Sequence, residues 1–190
     1  MSLVYNYLLP AVWLGYLAYW WARSKNVKAN QRRESAPSRW ARRLLLICAA
    51  ALLGLPRIPI LGLDGRFHPA SVAWFWCGAA VTIGGLLFAV WARRHLGRNW
   101  SSTVTVKTGH ELITTGPYAW VRHPIYSGLL LAFVGSALAR GEWRGLLAVA
   151  LVAGIFWHKL RLEEKWMREQ FGESYAAYCA RVAALVPFVL

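Results

Sequence analysis

The sequence predicts an all-α membrane protein: a polytopic helix bundle of about five transmembrane helices that ends in a short C-terminal helical hairpin. Three observations carry this. Of the 190 residues, 57% are hydrophobic and only 16% are charged, well to the apolar side of a soluble domain. The apolar residues are gathered into five runs. The 22 Lys and Arg, against 8 Asp and Glu, give a formal net charge of +14 and fall in the connections between those runs, where membrane topology puts them. A nucleic-acid-binding protein would need them along one soluble face, so the expected partner is membrane lipid and not nucleic acid.

The first run, residues 3–22, has no basic residue ahead of it and is too long for a signal-peptide core, so it is expected to be retained. The second, 44–61, is interrupted by Pro56, Arg57 and Pro59; the third is 72–92, the fourth 126–139 and the fifth 143–158. Crossing about 30 Å of hydrocarbon takes roughly 20 apolar residues. The first and third runs meet that length, while the last two are short and are predicted to pair as a tight hairpin about Arg140-Gly141-Glu142. Gly78, Gly84 and Gly85 in the third run are expected to let helices approach closely. Asp64-Gly65 and His68-Pro69 read as turns.

Charge sets the orientation. Between the first two runs stand Arg23, Lys25, Lys28, Arg32, Arg33, Arg39, Arg42 and Arg43 against Glu34 alone, whereas the next connection carries Arg57 and Arg66. The first connection is therefore predicted to be cytoplasmic. Counting through five segments then puts residues 93–122 and the tail after His158 on the same side, and both are again rich in Lys and Arg. An integral, multi-pass protein results, with the N-terminus out and the C-terminus in the cytoplasm. Residues 1–92 are expected to supply N-terminal membrane helices, and 93–190 a cytoplasmic loop, the hairpin and a C-terminal segment that carry the chemistry. Cys48, Cys77 and Cys179 are widely separated, and the five histidines form no ligand pair at metal-binding spacing, so neither a disulfide framework nor a metal is expected.

The stretch GPYAWVRHPIYSG, residues 116–128, draws attention because it sets charged and titratable groups at the mouth of an apolar run. Pro124 suits the first position of a helix, which makes His123 the N-cap and leaves Arg122 just outside. Helix N–H groups, the dipole and the Arg122 guanidinium would converge on one anion-attracting spot. A returning helix would bring Lys159, Arg161, Glu163 and Glu164 level with it. Such a site suits a zwitterion that also carries a cation and a flat ring. S-adenosylmethionine has these features, and Tyr118 offers its adenine an aromatic face.

These residues resemble the isoprenylcysteine carboxyl methyltransferase family and its relatives among membrane phospholipid methyltransferases. The matching pieces are LGRNWS (96–101), GHELITTGPYAWVRHPIYSG (109–128), the pair Glu163-Glu164, FGESYAAYCARV (171–182) and Pro187. The resemblance implies a membrane bundle without a Rossmann domain that binds the methyl donor S-adenosylmethionine from the cytoplasm. By matching positions it implies donor contacts at His110, Glu111, Leu112, Ile113, Tyr118, His123, Pro124, Ile125, Tyr126 and Glu163, beside the Arg122 and Glu164 read above. Lys159 falls where the family often has an arginine near the methyl acceptor, with Arg161 as the other cation for that role. Ala183, where proline is common, is expected to loosen the C-terminal segment.

The function so implied is methyl transfer to a lipophilic acceptor, such as the carboxylate of a prenylcysteine-like or other lipid; the shortness of the chain separately leads us to expect a prokaryotic inner membrane. No residue is assigned as nucleophile or base, since an in-line displacement needs alignment and exclusion of water more than acid-base chemistry. Two alternatives stand beside it: a sterol-reductase-like enzyme using NADPH, with Arg93, Arg94 and Arg98 for its 2′-phosphate, and a non-catalytic membrane protein binding lipid or a partner through its basic loops.

Overall fold

The computed structural model describes residues 2–24, 30–33, 35–55, 62–97, 100, 105–107 and 112–187. Among these, six α-helices follow in order: α1 (Ser2–Arg23), α2 (Ala36–Gly54), α3 (Val72–Leu96), α4 (Pro124–Arg140), α5 (Trp143–Phe171) and α6 (Glu173–Cys179), with a 3-10 turn at Gly116–Ala119 ahead of α4. Local chemistry sets the ends. Ser71 caps α3 by accepting the Trp74 N–H at 3.3 Å. Leu55, made extended by the proline that follows it, stops α2 at φ −70° and ψ 141°. Gly141 adopts φ 71°, a left-handed conformation that favours glycine and turns α4 into α5 within two residues.

The long helices alternate in direction and define two faces. At one face Arg93, on the last turn of α3, donates to the Arg23 carbonyl at the end of α1 (2.8 Å). At the other, the hairpin face, Arg140 donates to the Leu53 and Leu55 carbonyls at the end of α2. There Arg144 is wholly buried, with its Nε 2.5 Å from Glu142 Oε2 and 3.3 Å from Asp64 Oδ1, and its Nη1 donates to the Leu55 carbonyl at 2.7 Å. The residues about Asp64 do form the expected turn, and backbone N–H groups of Trp143 and Arg144 donate to Gly65 and Leu63.

α3 and α4 pack backbone to backbone. A Cβ on Gly85 would lie 2.5 Å from the Gly128 carbonyl oxygen, one on Gly128 2.5 Å from that of Gly85, and one on Gly78 2.4 Å from that of Gly135. Side chains at these positions would hold the helices apart. The expected packing role thus applies to Gly78 and Gly85 and not to Gly84, which has nothing within 4 Å because it points away round the helix.

One further expectation is revised. The hairpin is not short: α5 has 29 residues, about 43 Å of helix, because Lys, Arg and Glu sustain a helix as well as Leu does. Polarity marked the end of the apolar run and not of the helix. The class is all-helical, as expected; beside the helices a short ribbon pairs β1 (Asn30–Arg33) antiparallel with β2 (Thr105–Lys107), Asn30 opposite Lys107 and Arg33 opposite Thr105. The backbone thereby joins two basic connections expected on the same side. By length and apolarity, α3 and α5 are able to cross a membrane, and α4 is a shorter apolar helix.

Candidate active site at the start of α4

α4 begins at Pro124 with His123 at its N-cap, as the Pro124 position predicts. The His123 side chain makes no capping hydrogen bond. Its ring instead faces two glutamates of α5, with Nε2 3.3 Å from Glu164 Oε1 and Nδ1 3.7 Å from Glu163 Oε2. Three residues on, and so on the same side of the helix, Tyr126 stacks on His123 at 5.4 Å with the planes 5° apart. Its hydroxyl donates to the Glu163 carboxylate, 2.7 Å from either oxygen. Lys159, one turn before Glu163, brings Nζ to 3.7 Å from Glu163 Oε1 and to 4.9 Å from the Tyr126 ring centre. Phe156 stacks on Tyr126 at 4.9 Å and buries the base of this layer.

Arg122 faces elsewhere. Its Nε lies 2.9 Å from Glu164 Oε1, and its Nη1 donates to the carbonyls of Cys179 (3.2 Å) and Val182. Burial works against the Arg122 charge, but the hydrogen bond and charge of Glu164 outweigh it and hold the guanidinium above its ordinary range. The Arg122 guanidinium thus has Glu164 and the chain after α6 as partners, while the residue also borders the cavity described below. That chain lies across the start of α4 through Arg122 N–H to Ala183 O (2.8 Å), His123 N–H to Ala184 O (3.0 Å) and Ser127 Oγ to Leu185 O (2.5 Å). Ala183 is buried, and its carbonyl accepts from the Arg122 N–H. Tyr178 of α6 donates its hydroxyl to the Tyr118 carbonyl at 2.6 Å, fixing the 3-10 turn, and burial pushes its phenol up to about 12.

This layer forms one end of a cavity of about 1590 Å³. The cavity reaches the hairpin face at Arg66 and Arg140, and apolar side chains of α1 and α2, such as Trp13, Leu17, Leu46 and Leu53, make up much of its wall. Of the residues singled out from sequence, Leu112, Ile113, Tyr118, Arg122, His123, Pro124, Ile125, Tyr126, Lys159 and Glu163 line it. Glu164 stands behind them as the partner of Arg122 and His123. Arg161 does not share the site of Lys159: two residues on, it points away round the helix, exposed, with its guanidinium over Trp157 at 4.8 Å. His110 and Glu111 lie outside the described residues. Sequence reasoning missed Trp166, Met167, Tyr175 and Tyr178, which also line this end; the FGESYAAYC block pointed to the last two. It missed Trp20 and Tyr16 as well, which sit in a run with no signal beyond hydrophobicity.

Fold and site together define a helical protein with membrane-length apolar helices and a carboxylate, lysine and imidazole cluster at the end of a large, mostly apolar cavity. The chain belongs to the phospholipid methyltransferase family, whose model matches residues 73–174. It is 30% identical over 129 residues to protein-S-isoprenylcysteine O-methyltransferase B of Arabidopsis thaliana, covering 65% of this chain and 66% of that protein. It is 30% identical over 132 residues to the protein-S-isoprenylcysteine O-methyltransferase of Saccharomyces cerevisiae, covering 66% of this chain and 55% of the relative. The chain thus spans between about half and two thirds of the length of these relatives. A solved structure of a eukaryotic intramembrane Ras methyltransferase, isoprenylcysteine carboxyl methyltransferase, aligns at 20% identity with a TM-score of 0.46, over 82% of this chain and 54% of that one.

Proposed function

We propose that this chain transfers a methyl group from S-adenosylmethionine to a lipophilic acceptor at the membrane surface. The observation that carries the reading is the continuity of one cavity from the His123, Tyr126, Lys159 and Glu163 cluster into an apolar volume walled by α1 and α2. At about 1590 Å³ it exceeds the roughly 300 to 1,000 Å³ of ordinary small-ligand sites, which leaves room for a long chain beside a donor. The relatives named as isoprenylcysteine O-methyltransferases support the same chemistry.

The residues fit the donor. Glu163 offers a carboxylate to its ammonium, Tyr118 and Trp166 offer faces to its adenine, and the first turn of α4 with Lys159 offers positive potential to its carboxylate. When bound, S-adenosylmethionine supplies an activated methyl group on a sulfonium. The protein aligns and dries the site. Tyr126 and Lys159 hold Glu163 in one orientation, Phe156 and Ile125 exclude water, and Lys159 orients an ionised acceptor such as a carboxylate, which needs no base. His158 is exposed on the outward side of α5, away from this work. In this reading residues 1–92 wall the acceptor channel and 93–190 carry the donor site. The bundle crosses a prokaryotic inner membrane five times, N-terminus out, with the donor arriving from the cytoplasm.

The NADPH alternative loses Arg93, which is buried with its guanidinium over Trp100 at 4.3 Å and both Nη atoms on backbone carbonyls. Calorimetry of the detergent-purified chain tests the proposal. Micromolar binding of S-adenosylhomocysteine, with labelled methyl passing into a native lipid extract, is expected; binding of NADPH without either response would overturn it.

A further inference from the structure

We propose that Arg42 binds the anionic head of the acceptor and makes the site selective for a lipophilic carboxylic acid over an amine or a neutral ester. This rests on the methyl-transfer reading of the cavity and narrows its acceptor to one chemical class. Charge patterning counts Arg42 among the basic residues that orient the chain, yet its side chain borders the cavity. It is half-buried on the second turn of α2. Leu46, Ala50 and Leu53 follow it at helical spacing and border the cavity too, so this face of α2 looks inward with Arg42 at its head. Arg43, the next residue, has its guanidinium over the Trp40 ring at 4.9 Å.

The packing of α2 on α5 sets the depth of Arg42. Leu55, just past α2, meets Arg144 at the start of α5, its carbonyl 2.7 Å from Nη1, and Ala49 joins Ala148 and Val152 in one core cluster. Arg42 stands 13 residues back from Leu55, and Lys159 stands 15 residues on from Arg144, about 20 Å along either helix. The two cations are therefore level, on two walls of the same cavity. Tyr126 lies near both: Lys159 Nζ is 4.9 Å from its ring centre, and the Arg42 charge acts on its hydroxyl.

Charge then decides what enters. Arg42 and Lys159 bring two positive charges to the cavity wall at this depth, where Glu163 brings one negative. The donor, a zwitterion with a sulfonium, adds one more positive charge. An ionised carboxylate is attracted to such a site and an ammonium is repelled. The guanidinium also presents a planar fork that matches two carboxylate oxygens, which the Lys159 ammonium does not. In the reaction one carboxylate oxygen bonds to the methyl carbon as the carbon–sulfur bond breaks with its electron pair left on sulfur. The negative and positive charges cancel and no proton moves. The ester has lost the charge that held it to Arg42, which favours its release.

The experiment titrates the detergent-purified full chain with hexadecanoic acid, its methyl ester and hexadecylamine, followed by tryptophan fluorescence. Each variant is compared with the wild type ligand by ligand, so that partition into micelles cancels. Arg42→Gln is expected to weaken the acid about tenfold, to leave the ester unchanged and to bind the amine as well or better. Arg39→Gln removes the same charge from α2 one turn earlier, away from the cavity, and is expected to leave the acid unchanged. A wild type that binds none of the three overturns the proposal. So does an Arg42→Gln variant that keeps its affinity for the acid or loses acid and ester alike, or an equal loss in Arg39→Gln. Should Arg42→Gln fold poorly, Arg42→Lys carries the same test, with a loss of about threefold confined to the acid. Calorimetry with S-adenosylhomocysteine is run on the same proteins, and Arg42→Gln is expected to keep the wild-type affinity; its loss there would place Arg42 in the donor site and overturn the proposal. Failure of the wild type to bind S-adenosylhomocysteine would instead remove the methyl-transfer reading, while the Arg42-dependent preference for the acid is read by itself.

Discussion

Arg122 Nε and Glu164 Oε1 lie 2.9 Å apart, with side chains only 11% and 10% exposed. Through this contact the start of α4, the far part of α5 and the chain after α6 meet at one point, because the same guanidinium also donates to the carbonyls of Cys179 and Val182. The pair lies behind His123, whose Nε2 approaches the same Glu164 oxygen. It fixes the layer that faces the cavity.

Removing Arg122 should therefore act through structure first. Arg122→Ala strands a largely buried carboxylate, left to His123 and to the more exposed Arg168 at 3.9 Å, and frees two backbone carbonyls. A loss of about 3 to 5 kcal/mol is expected. Arg122→Lys keeps the charge without the planar fork and should fall between. Thermal unfolding in detergent measures the loss, and faster tryptic cleavage after Arg181 reports the freed C-terminal segment. Unchanged cleavage would show that Arg122 does not hold that segment down.

Glu163 is the complementary case, since it faces the cavity and gathers Tyr126, Lys159 and His123. Glu163→Gln preserves size and can still accept from Tyr126, but it lacks the charge for an ammonium. The affinity for S-adenosylhomocysteine should fall about tenfold or more, with the unfolding temperature little changed. Tyr126→Phe, which only frees the carboxylate, should cost about threefold. Wild-type affinity in the Glu163→Gln variant would remove this residue from the donor site.

Much of this architecture was legible in the sequence, for reasons that differ from one residue to another. Pro124 marked the start of α4 because its ring fixes φ and its missing N–H costs nothing there, and the level of Glu163 and Glu164 followed from helix rise and a short turn. The direction of a long side chain did not follow. The course of Arg122 depends on carbonyls of Cys179 and Val182, some 60 residues distant in sequence. Arg161 and Gly84 were misplaced by less than a turn of helix, which periodicity alone does not settle where charges fall on several faces, as around Arg161, or where the helix is apolar nearly all round, as around Gly84. The apolar wall of the cavity was illegible, because Trp13, Tyr16 and Leu46 differ from other apolar residues of their helices only in what packs against them.

The α3 and α4 interface separates packing from propensity. Gly128→Ala places a Cβ 2.5 Å from the Gly85 carbonyl oxygen and 2.8 Å from the Ala89 nitrogen, backbone atoms that cannot rotate aside. Destabilisation of about 1 to 3 kcal/mol is expected. Gly84→Ala meets nothing within 4 Å and should stabilise by up to about 1 kcal/mol through helix propensity. Thermal unfolding of the two variants side by side is the measurement. Equal shifts would mean that these helices are not in close contact.

Acid sensitivity should arise at the hairpin face. Glu142 Oε2 lies 2.9 Å from Arg140 Nε and 2.5 Å from Arg144 Nε. Burial pushes its carboxyl upward, but hydrogen bonds from Arg144 and Arg140 outweigh it and hold the group below its ordinary 4.5. A carboxyl whose folded pKa lies below its unfolded one contributes stability that is fully present above the unfolded value and is lost as pH falls through the folded one. The unfolding temperature should thus be flat near neutrality and drop below about pH 4.5. Glu142→Gln should lower it at pH 7, because the wholly buried Arg144 then leans on Asp64 at 3.3 Å, and should make the acid drop shallower. Unfolding temperatures of both proteins between pH 3 and 7 decide this: curves that stay parallel throughout would show that the Glu142 carboxylate is not the group linking protons to the fold.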